Sequence, residues 1–372
     1  MALDTILIIK RVLHINSSRD LRGGERQTRL LIEGLAQRGW ENYLVTRADS
    51  PFSKTNGLLI RGLFPLKMRG EFDLIAGFQI GKIARDNNIP LIHCHTALAH
   101  SLGIYAQLVC GAKLVVTRRV DFNLRGGAAS IWKYNRSDHI IAISRRIQQI
   151  LLESGIPPRK ISLIPSGVRF PQPPDLSTIE KLRTELKLPP EAIVIGTVAA
   201  LVGHKDYPTL LRAFRQVAEI YPQAVLLALG EGDERPRLEI LIQELNLTGK
   251  VKFIGFREDV NTFFHLFQIY VQSSKMEGLC TSLIEAMHYG LPIAATSAGG
   301  IPDLIEDGVT GLLSPPEDFS ALAASIHKLL SDRQLAGALG EAARNKAQDF
   351  SADLMVERNE QVYLKLLEAE NA

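Results

Sequence analysis

The chain has 372 residues, of which 46% are hydrophobic, so it is long enough to bury the cores of two domains. Residues 1–174 carry 25 Lys and Arg against 12 Asp and Glu, and residues 175–372 carry 18 against 28, so charges of about +13 and −10 sum to the net +3. The basic half invites an anionic partner, and nucleic acid is excluded because no helix-turn-helix, zinc-finger or RNA-binding signature accompanies the charge.

Short apolar runs alternate with amphipathic segments from the start, a pattern typical of parallel sheets flanked by helices and hence of an α/β fold. Residues 7–15 are the first predicted strand, residues 16–24 a polar loop with Gly23 and Gly24, and residues 25–38 a helix. The glycine pair fits an ordinary βα turn. The loop lacks the G-x-G-x-x-G spacing of nicotinamide-dependent enzymes, which are therefore excluded.

A basic amphipathic segment follows at residues 58–72. It mixes apolar residues with Arg61, Lys67 and Arg69. This composition fits a docking site on an anionic membrane, and equally a solvated connection between a strand and the next helix. Pro65 excludes a long helix in this segment.

Two histidines stand in the strand predicted at residues 90–96. His93 and His95 point the same way because strand side chains alternate, so we expect one of them to face a ligand, whereas Cys94 points into the core. A metal site of these two histidines and His100 lacks a further ligand at fixed spacing, so no metal site is predicted.

Two arginines mark the carboxyl end of the strand predicted at residues 113–119. Doubly wound sheets bind ligands at such ends, so we assign Arg118 and Arg119, with the following Asp121, to an anionic acceptor group. The alternative is that the arginines form salt bridges with Asp121 or Asp138.

Prolines mark the boundary between the two predicted domains. Residues 161–168 close the first domain, and Pro171, Pro173 and Pro174 mark a linker. We therefore expect domains at residues 1–170 and 178–350, a linker at 171–177 and a final helix at 351–372.

The second domain begins with a helix at residues 179–186, and a strand at residues 193–199 follows it. The loop after this strand contains Lys205, a point charge suited to a phosphate. The strand at residues 224–229 then runs into Gly230 and Gly232, a tight turn with backbone room for a ligand.

Residues 273–311 are the part of the chain richest in chemistry. A helix is predicted from about residue 278, with Glu277 at its start and Glu285 about two turns on. Such carboxylates accept paired hydrogen bonds from the vicinal diols of ribose and pyranose rings, although two glutamates on a helix are usually solvated. Gly299 and Gly300 open another helix, whose free amides favour a phosphate.

This segment resembles a known family. A glutamate and glycine, a second glutamate eight positions after the first, then G-L-P-I-A and G-G-I-P-D-L-I-E-D-G-x-T-G resemble the retaining glycosyltransferases of family GT4, which have the GT-B fold. The resemblance extends over nearly the whole chain. It implies two Rossmann-like, doubly wound parallel-sheet domains facing a central cleft, the first binding the acceptor and the second the nucleotide-sugar donor. It also implies that the last helix crosses back to the first domain.

The resemblance implies roles for individual residues. Glu277 would contact the transferred sugar and His95, or His93 in an alternative register, would lie close to it, so Glu277 and His95 are the expected catalytic residues. Glu285 would bind the ribose. The other donor-binding residues would hold the phosphates, the sugar and the base: Gly23, Gly24, Lys205, Gly230, Gly232, Phe256, Arg257, Gly278, Leu279, Cys280 and Thr281.

The sequence departs from the family at Ala200. There the family has an arginine, five positions before Lys205, that helps the lysine hold the diphosphate. His204, or Arg118 of the first domain, are the candidate replacements.

The chemistry expected from these residues needs no cofactor. No Asp-x-Asp triplet is present to hold a divalent metal, so we expect metal-independent use of a nucleotide-diphosphate sugar, in the first place a UDP-sugar. No second carboxylate is placed as a covalent nucleophile. We therefore expect attack on the face that the leaving group departs from, with retention of configuration.

Partners and location follow from charge, cysteines and hydropathy. We expect a saccharide or anionic lipid-linked acceptor in cell-envelope glycan or lipopolysaccharide biosynthesis, and peripheral contact with anionic membrane. Three cysteines without paired spacing and a first segment unlike a secretory signal favour a cytoplasmic location, at the inner face of the cytoplasmic membrane. The alternatives are a nucleotide-sugar epimerase of the same fold and a non-catalytic protein that binds sugar nucleotides or glycolipids.

Overall fold

The chain folds into two compact units. The structure, a computed structural model, describes residues 9–20, 23–54, 57–124 and 127–369. The first unit comprises the chain up to Gly167 and from Ala352 onwards, and the second comprises Val168–Ser351. Each unit is built on one parallel sheet, so the predicted α/β class with two doubly wound parallel sheets is confirmed.

The first unit contains a seven-stranded parallel sheet. Its strands are β1 (Arg11–Asn16), β2 (Glu41–Arg47), β3 (Gly62–Leu66), β4 (Leu91–Cys94), β5 (Lys113–Arg118), β6 (His139–Ala142) and β7 (Ile161–Leu163). The helices between them are α1 (Gly23–Gln37), α2 (Leu74–Asp86), α3 (Ala97–Cys110), α4 (Ala128–Arg136) and α5 (Arg145–Glu153). The strand order β3-β2-β1-β4-β5-β6-β7 reverses between β1 and β4, and sheets of this kind bind ligands at such a switch point.

The second unit contains a six-stranded parallel sheet. Its strands are β8 (Ile193–Val198), β9 (Ala224–Leu229), β10 (Val251–Gly255), β11 (Ile269–Gln272), β12 (Ile293–Thr296) and β13 (Leu312–Ser314). Its helices are α6 (Leu176–Glu185), α7 (Tyr207–Ile220), α8 (Arg235–Glu244), α9 (Val260–Phe264), α10 (Thr281–His288), α11 (Ile301–Leu304), α12 (Phe319–Ser331) and α13 (Arg333–Ala347). The order β10-β9-β8-β11-β12-β13 places the switch point between β8 and β11.

The edge strand β3 was not predicted from the sequence. It lies inside the basic segment at residues 58–72, which was expected to be a docking site or a solvated connection. Pro65 is tolerated in it because β3 is the outermost strand of its sheet and pairs only with β2 among the described strands.

The last helix, α14 (Ala352–Glu368), belongs to the first unit. Tyr363 is fully buried and meets the Trp40 ring edge-on, with the ring centroids 5.4 Å apart. Glu360 accepts a hydrogen bond from Trp40 Nε1 at 2.9 Å and forms ion pairs with Lys10 and Arg38 at 3.3 and 3.1 Å. Within the described part of the chain, no helix has both the length and the hydrophobicity needed to cross a bilayer.

Candidate active site

Lys205 and Glu277 meet at the switch point of the second unit. Lys205 ends a short 3-10 turn, Gly203–Lys205, that follows β8, and Glu277 lies in the loop after β11. Lys205 Nζ and Glu277 Oε2 form an ion pair, and only 14% and 11% of the two side chains are exposed. The structure therefore joins two residues that stand 72 positions apart and that were assigned to the phosphates and to the sugar.

A buried row of hydrogen bonds supports Glu277. Tyr270 OH donates to Gln272 Oε1 at 3.1 Å, and Gln272 Nε2 donates to Ser274 Oγ at 2.8 Å. Ser274 Oγ in turn donates to Glu277 Oε2 at 3.2 Å. These contacts connect the carboxylate, which lies in the loop, to the side chains of β11. These hydrogen bonds were not predicted from the sequence, although polar residues at every second position of an apolar strand are the signal for such a row.

Helix α10 begins at Thr281, three residues later than predicted. Glu277 therefore lies in the loop before the helix, and Glu285, which is half-buried, lies about one turn inside it rather than two turns on. The amides of Gly278 and Leu279 form no hydrogen bond within the described part of the chain, so both can donate to a ligand.

The turn at Gly299 and Gly300 differs from its prediction. Helix α11 after it is a single turn, so its dipole is small. The Gly300 N–H donates to the Glu277 carbonyl at 2.9 Å and is not free for a phosphate. This bond, with the ion pair of the Glu277 carboxylate, holds the loop open and explains why the helix starts late.

Burial controls two ionisable side chains that flank α10, Cys280 just before its first residue and Tyr289 just after its last. Burial, and then the charge of Glu277, raise the pKa of the Cys280 thiol to about 11, so the thiol stays protonated at neutral pH. Burial and then the charge of Glu285 raise the pKa of Tyr289 to about 12. Neither group is a nucleophile at neutral pH.

Gly230 and Gly232 are required by the packing of the chain itself. A Cβ on Gly230, which has φ +137°, would lie 2.1 Å from the Ala199 carbonyl oxygen. A Cβ on Gly232 would lie 2.2 Å from the Leu201 carbonyl oxygen. The space predicted for a ligand is therefore filled by the backbone of the loop that contains Ala200 and leads to Lys205.

The two residues after β10 differ in exposure. Phe256 is 72% exposed, so its face is open to a nucleotide base. Arg257 donates to Asp259 at 2.7 and 2.8 Å and to Glu185 at 3.1 Å, and these hydrogen bonds raise its pKa above the ordinary value. Its guanidinium is therefore occupied, which leaves backbone groups for a base.

Three histidines cluster at the switch point of the first unit. His14 of β1 is paired in register with His93 of β4, and His95 follows β4. Both ring nitrogens of His93 have hydroxyl partners, Tyr363 OH at 2.5 Å and Thr117 Oγ1 at 2.7 Å. His95 Nε2 lies 3.0 Å from His14 Nδ1, and His95 Nδ1 has no partner among the described residues. His95 is thus the histidine of the two that keeps a nitrogen for a ligand.

Arg118 has a packing role in the first unit. It is 5% exposed, donates to Tyr134 OH at 2.9 Å and to the Phe122 carbonyl, and lies 5.5 Å from the centre of the Tyr134 ring. It is therefore unsuited to bind an acceptor or to replace the arginine missing at Ala200. Asp121 lies half-buried in the loop that follows.

Arg119 lies beside the histidine cluster and the predicted glycine loop. Burial lowers its pKa to about 10, so it stays charged, and its Nη1 donates to Ser166 Oγ at 3.3 Å. A Cβ on Gly24 would lie at an ordinary 3.7 Å from Arg119 Cδ, and one on Gly23 would meet nothing described within 4 Å. The packing of the described chain does not demand this glycine pair, which leaves room for a ligand next to Arg119.

The histidine cluster also has the spacing of a cation site. His100 forms its hydrogen bonds at the end of α4, but His14 joins His93 and His95 instead, and the ligand atoms of these three lie within 4.8 Å of one another. The charge of Arg119 nearby opposes a second cation. His14 was not predicted as part of the cluster because it stands 81 positions before His95.

Two family models match the chain, one over each half. Glycosyltransferase Family 4 matches residues 21–170, and Glycosyl transferases group 1 matches residues 178–346. Among curated proteins, the N-acetyl-alpha-D-glucosaminyl L-malate synthase of Bacillus anthracis is 25% identical over 80% of this chain and 80% of its own length. The lipopolysaccharide core biosynthesis glycosyltransferase LpsE of Rhizobium meliloti is 28% identical over 50% of this chain and 52% of its own length.

The fold is shared with solved glycosyltransferase structures. Anabaena HepE, in complex with UDP-glucose, superposes with a TM-score of 0.85 at 23% identity and covers 95% of this chain and 99% of its own. The two family models, taken together, and the superposed structure each extend over both units. The chain therefore belongs to the GT4 glycosyltransferases with the GT-B fold.

Proposed function

We propose that the protein transfers a sugar from a UDP-sugar to a saccharide or an anionic lipid-linked acceptor, with retention of configuration and without a divalent metal. The observation that carries this proposal is the largely buried Lys205–Glu277 pair at the switch point of the second unit, with Glu285 in the following helix. A lysine suits a diphosphate and carboxylates suit sugar hydroxyls, so these side chains match the parts of a nucleotide sugar.

The second unit has a candidate partner for each part of the donor. Lys205 would meet the diphosphate, Glu277 and the two free amides after it the sugar, and Glu285 the ribose. The base would lie against the exposed Phe256. The choice of uridine is supported by the Anabaena structure, which was solved with UDP-glucose.

The transfer step exchanges one bond for another on the same face of the sugar. The bond from C1 to the diphosphate oxygen breaks, a bond from C1 to the acceptor oxygen forms, and the acceptor proton passes to the departing phosphate oxygen. Lys205 would turn from Glu277 to the charge that develops on the phosphate. Glu277 would then be free to hold the sugar hydroxyls and to stabilise the positive charge that develops near C1.

An anionic acceptor is favoured by charge and by the relatives. Residues 1–174 carry 25 basic against 12 acidic residues, and Arg119 is a half-buried cation directly after β5. The Bacillus relative is by name an N-acetyl-alpha-D-glucosaminyl L-malate synthase, and the Rhizobium relative is by name a glycosyltransferase of lipopolysaccharide core biosynthesis. We therefore place this protein in cell-envelope glycan or lipopolysaccharide biosynthesis, in the cytoplasm.

Peripheral contact with an anionic membrane is part of the proposal. At the start of α2, Phe72, Leu74, Ile75 and Phe78 are between 57% and 89% exposed. Ile75, Phe78 and the exposed Lys82 share one face of the helix because they stand at i, i+3 and i+7. Apolar side chains beside cations bind the headgroup region of anionic bilayers, and the basic segment predicted for this role ends where the patch begins.

The proposal is tested with Glu277→Gln, which keeps the shape of the side chain and removes its charge. Transfer from labelled UDP-glucose to a panel of malate and lipopolysaccharide-core acceptors should fall at least about 100-fold, while the circular dichroism spectrum stays unchanged. Glu219→Gln, at a surface side chain that is 63% exposed, is the matched control and should keep full activity. The product should show the anomeric coupling constant of the donor.

Three results would contradict the proposal. Full transfer by Glu277→Gln would remove the assigned role of this residue. A rearranged nucleotide sugar formed without any acceptor would identify an epimerase. Donor binding without turnover against every acceptor would identify a binding protein, which is the outcome that the loss of arginine at Ala200 favours.

A further inference from the structure

A hydrogen-bond chain of fixed direction runs through the first unit from Asn42 to His95. His14 Nε2 lies 3.1 Å from Asn42 Oδ1, and His14 Nδ1 lies 3.0 Å from His95 Nε2. All three side chains are buried, the most exposed of them at 3%. Solvent therefore cannot reverse the direction of these hydrogen bonds by supplying other partners.

The amide of Asn42 sets the direction. Its Nδ2 donates to the carbonyl oxygens of Ile32 at 3.1 Å and of Trp40 at 3.3 Å. Rotating the amide group by 180° would place Oδ1 next to these two carbonyl oxygens, where acceptor would meet acceptor, so Oδ1 must face His14. Because an amide oxygen only accepts, His14 carries its proton on Nε2.

Both imidazoles are neutral, so the direction of the hydrogen bond between Asn42 and His14 also determines the direction of the one between His14 and His95. Burial lowers the pKa of His14 to about 4, although the hydrogen bond to Asn42 raises it. Burial, and then the nearby charges of His93, His14 and Arg119, hold the pKa of His95 well below its ordinary value. A neutral imidazole has one N–H, so His14 Nδ1 accepts and His95 Nε2 donates. His95 Nδ1 is left with a lone pair, buried and without a partner among the described residues.

We propose that Asn42 and His14 are positioning residues that hold His95 in its Nε2–H tautomer, so that His95 Nδ1 accepts a hydrogen bond from a hydroxyl group of a bound glycosyl substrate. This inference rests on the proposed transferase function. A buried acceptor without a partner is unfavourable, and a substrate hydroxyl removes that penalty on binding. The opposite tautomer would present an N–H, which a hydroxyl can meet only through its own lone pair.

His93 provides a contrast within the same cluster. Both of its nitrogens already have hydroxyl partners, at 2.5 Å from Tyr363 and 2.7 Å from Thr117. Hydroxyl groups donate or accept, so they impose no tautomer on His93 and leave it no nitrogen for a substrate. Tyr363→Phe therefore removes a hydrogen bond of similar burial from the cluster without touching the chain from Asn42 to His95.

The first test is the tautomer itself, read from the nitrogen chemical shifts and two-bond couplings of 15N-histidine-labelled protein. We expect wild-type His95 to be Nε2–H with an unprotonated Nδ1, and we expect the same in Tyr363→Phe. In His14→Phe the Nδ1–H form of His95 should become populated. An Nδ1–H tautomer in the wild type would overturn the inference, as would shifts that show a divalent cation bound by the rings. This readout needs no variant and no activity, so it stands apart from the proposed function.

The second test asks whether the tautomer matters for the substrate. His14→Phe should lower kcat/KM for transfer by about 5- to 30-fold, the equivalent of one lost hydrogen bond, and Tyr363→Phe should lower it by less. A donor that lacks the recognised hydroxyl should be used equally by the wild type and by His14→Phe. Equal rates of the wild type and His14→Phe with every donor would refute the role of the chain. Absence of transfer in all proteins would instead count against the proposed function.

Discussion

Replacing Gly232 by alanine tests whether this glycine is needed by the fold or by a ligand. The new Cβ would lie 2.2, 2.6 and 2.9 Å from the carbonyl oxygen, carbonyl carbon and nitrogen of Leu201, whereas ordinary contact begins near 3.4 Å. These are backbone atoms, so the loop itself must move by more than an ångström. Overpacking of this kind costs about 1–3 kcal/mol, and we expect the upper end because no flexible side chain can yield.

The assay is thermal unfolding of the protein without donor. A cost of about 3 kcal/mol should lower the Tm of a domain of this size by roughly 6–12 °C. Gly203→Ala is the matched control in the same loop, because its Cβ would meet nothing described within 4 Å, and it should shift Tm by less than about 2 °C. An unchanged Tm in Gly232→Ala together with weaker donor binding would refute the packing argument and restore the ligand interpretation.

Three further predictions concern the two units. Lys205→Met should leave the largely buried Glu277 carboxylate without the lysine that pairs with it. We expect the free energy of unfolding of the second unit to fall by about 2 kcal/mol, measured by unfolding, and the donor affinity to fall by at least about tenfold, measured by calorimetric titration. Unchanged affinity would show that the lysine does not bind the phosphates. Gly23→Ala should keep the wild-type Tm, because nothing described lies within 4 Å of the added Cβ. It should slow transfer, because the Cβ would occupy the space left for a ligand next to Arg119. Full activity would indicate an ordinary turn. Burial raises the pKa of Glu360, but hydrogen bonds from Trp40 and two cations lower it more, so its net pKa lies below the unfolded value of 4.5. The stability that Glu360 contributes is present above that value and is lost as pH falls through the folded pKa. In Glu360→Gln the free energy of unfolding should therefore fall less steeply as the pH is lowered. An unchanged dependence on acidic pH would contradict this.

The class of fold and the main binding segment were predictable because their signals are local. Alternating apolar runs and amphipathic segments predicted parallel sheets, and these are present in both units. The pattern around Glu277 and Glu285 indicated a glycosyltransferase family, which the comparisons confirm. Their placement relative to α10 was wrong, because a hydrogen bond from Gly300, which stands far along the chain, holds the loop open.

The features that escaped prediction depend on contacts between distant parts of the chain. His14 looked like one polar residue in an apolar strand, and its partner Asn42 lies on another strand. Gly230 is required because the carbonyl oxygen of Ala199, about thirty positions earlier, leaves no room for a Cβ. The spacing of Gly230 and Gly232 in the sequence does not show this contact and suggested room for a ligand instead. Arg118 appeared available at a strand end, but a helix residue, Tyr134, takes its guanidinium.

A thermal-shift screen is the sharpest test of whether the second unit binds a nucleotide-diphosphate sugar without a metal. UDP-, GDP-, ADP- and dTDP-sugars are compared in EDTA, with Lys205→Met as the negative control. We expect a selective rise in Tm with UDP-sugars, equivalent to about 2.7 kcal/mol at 100 times the Kd, and little or no rise in Lys205→Met. No rise with any nucleotide sugar, or a rise that appears only when a divalent cation replaces EDTA, would show that the second unit does not bind its donor in this way.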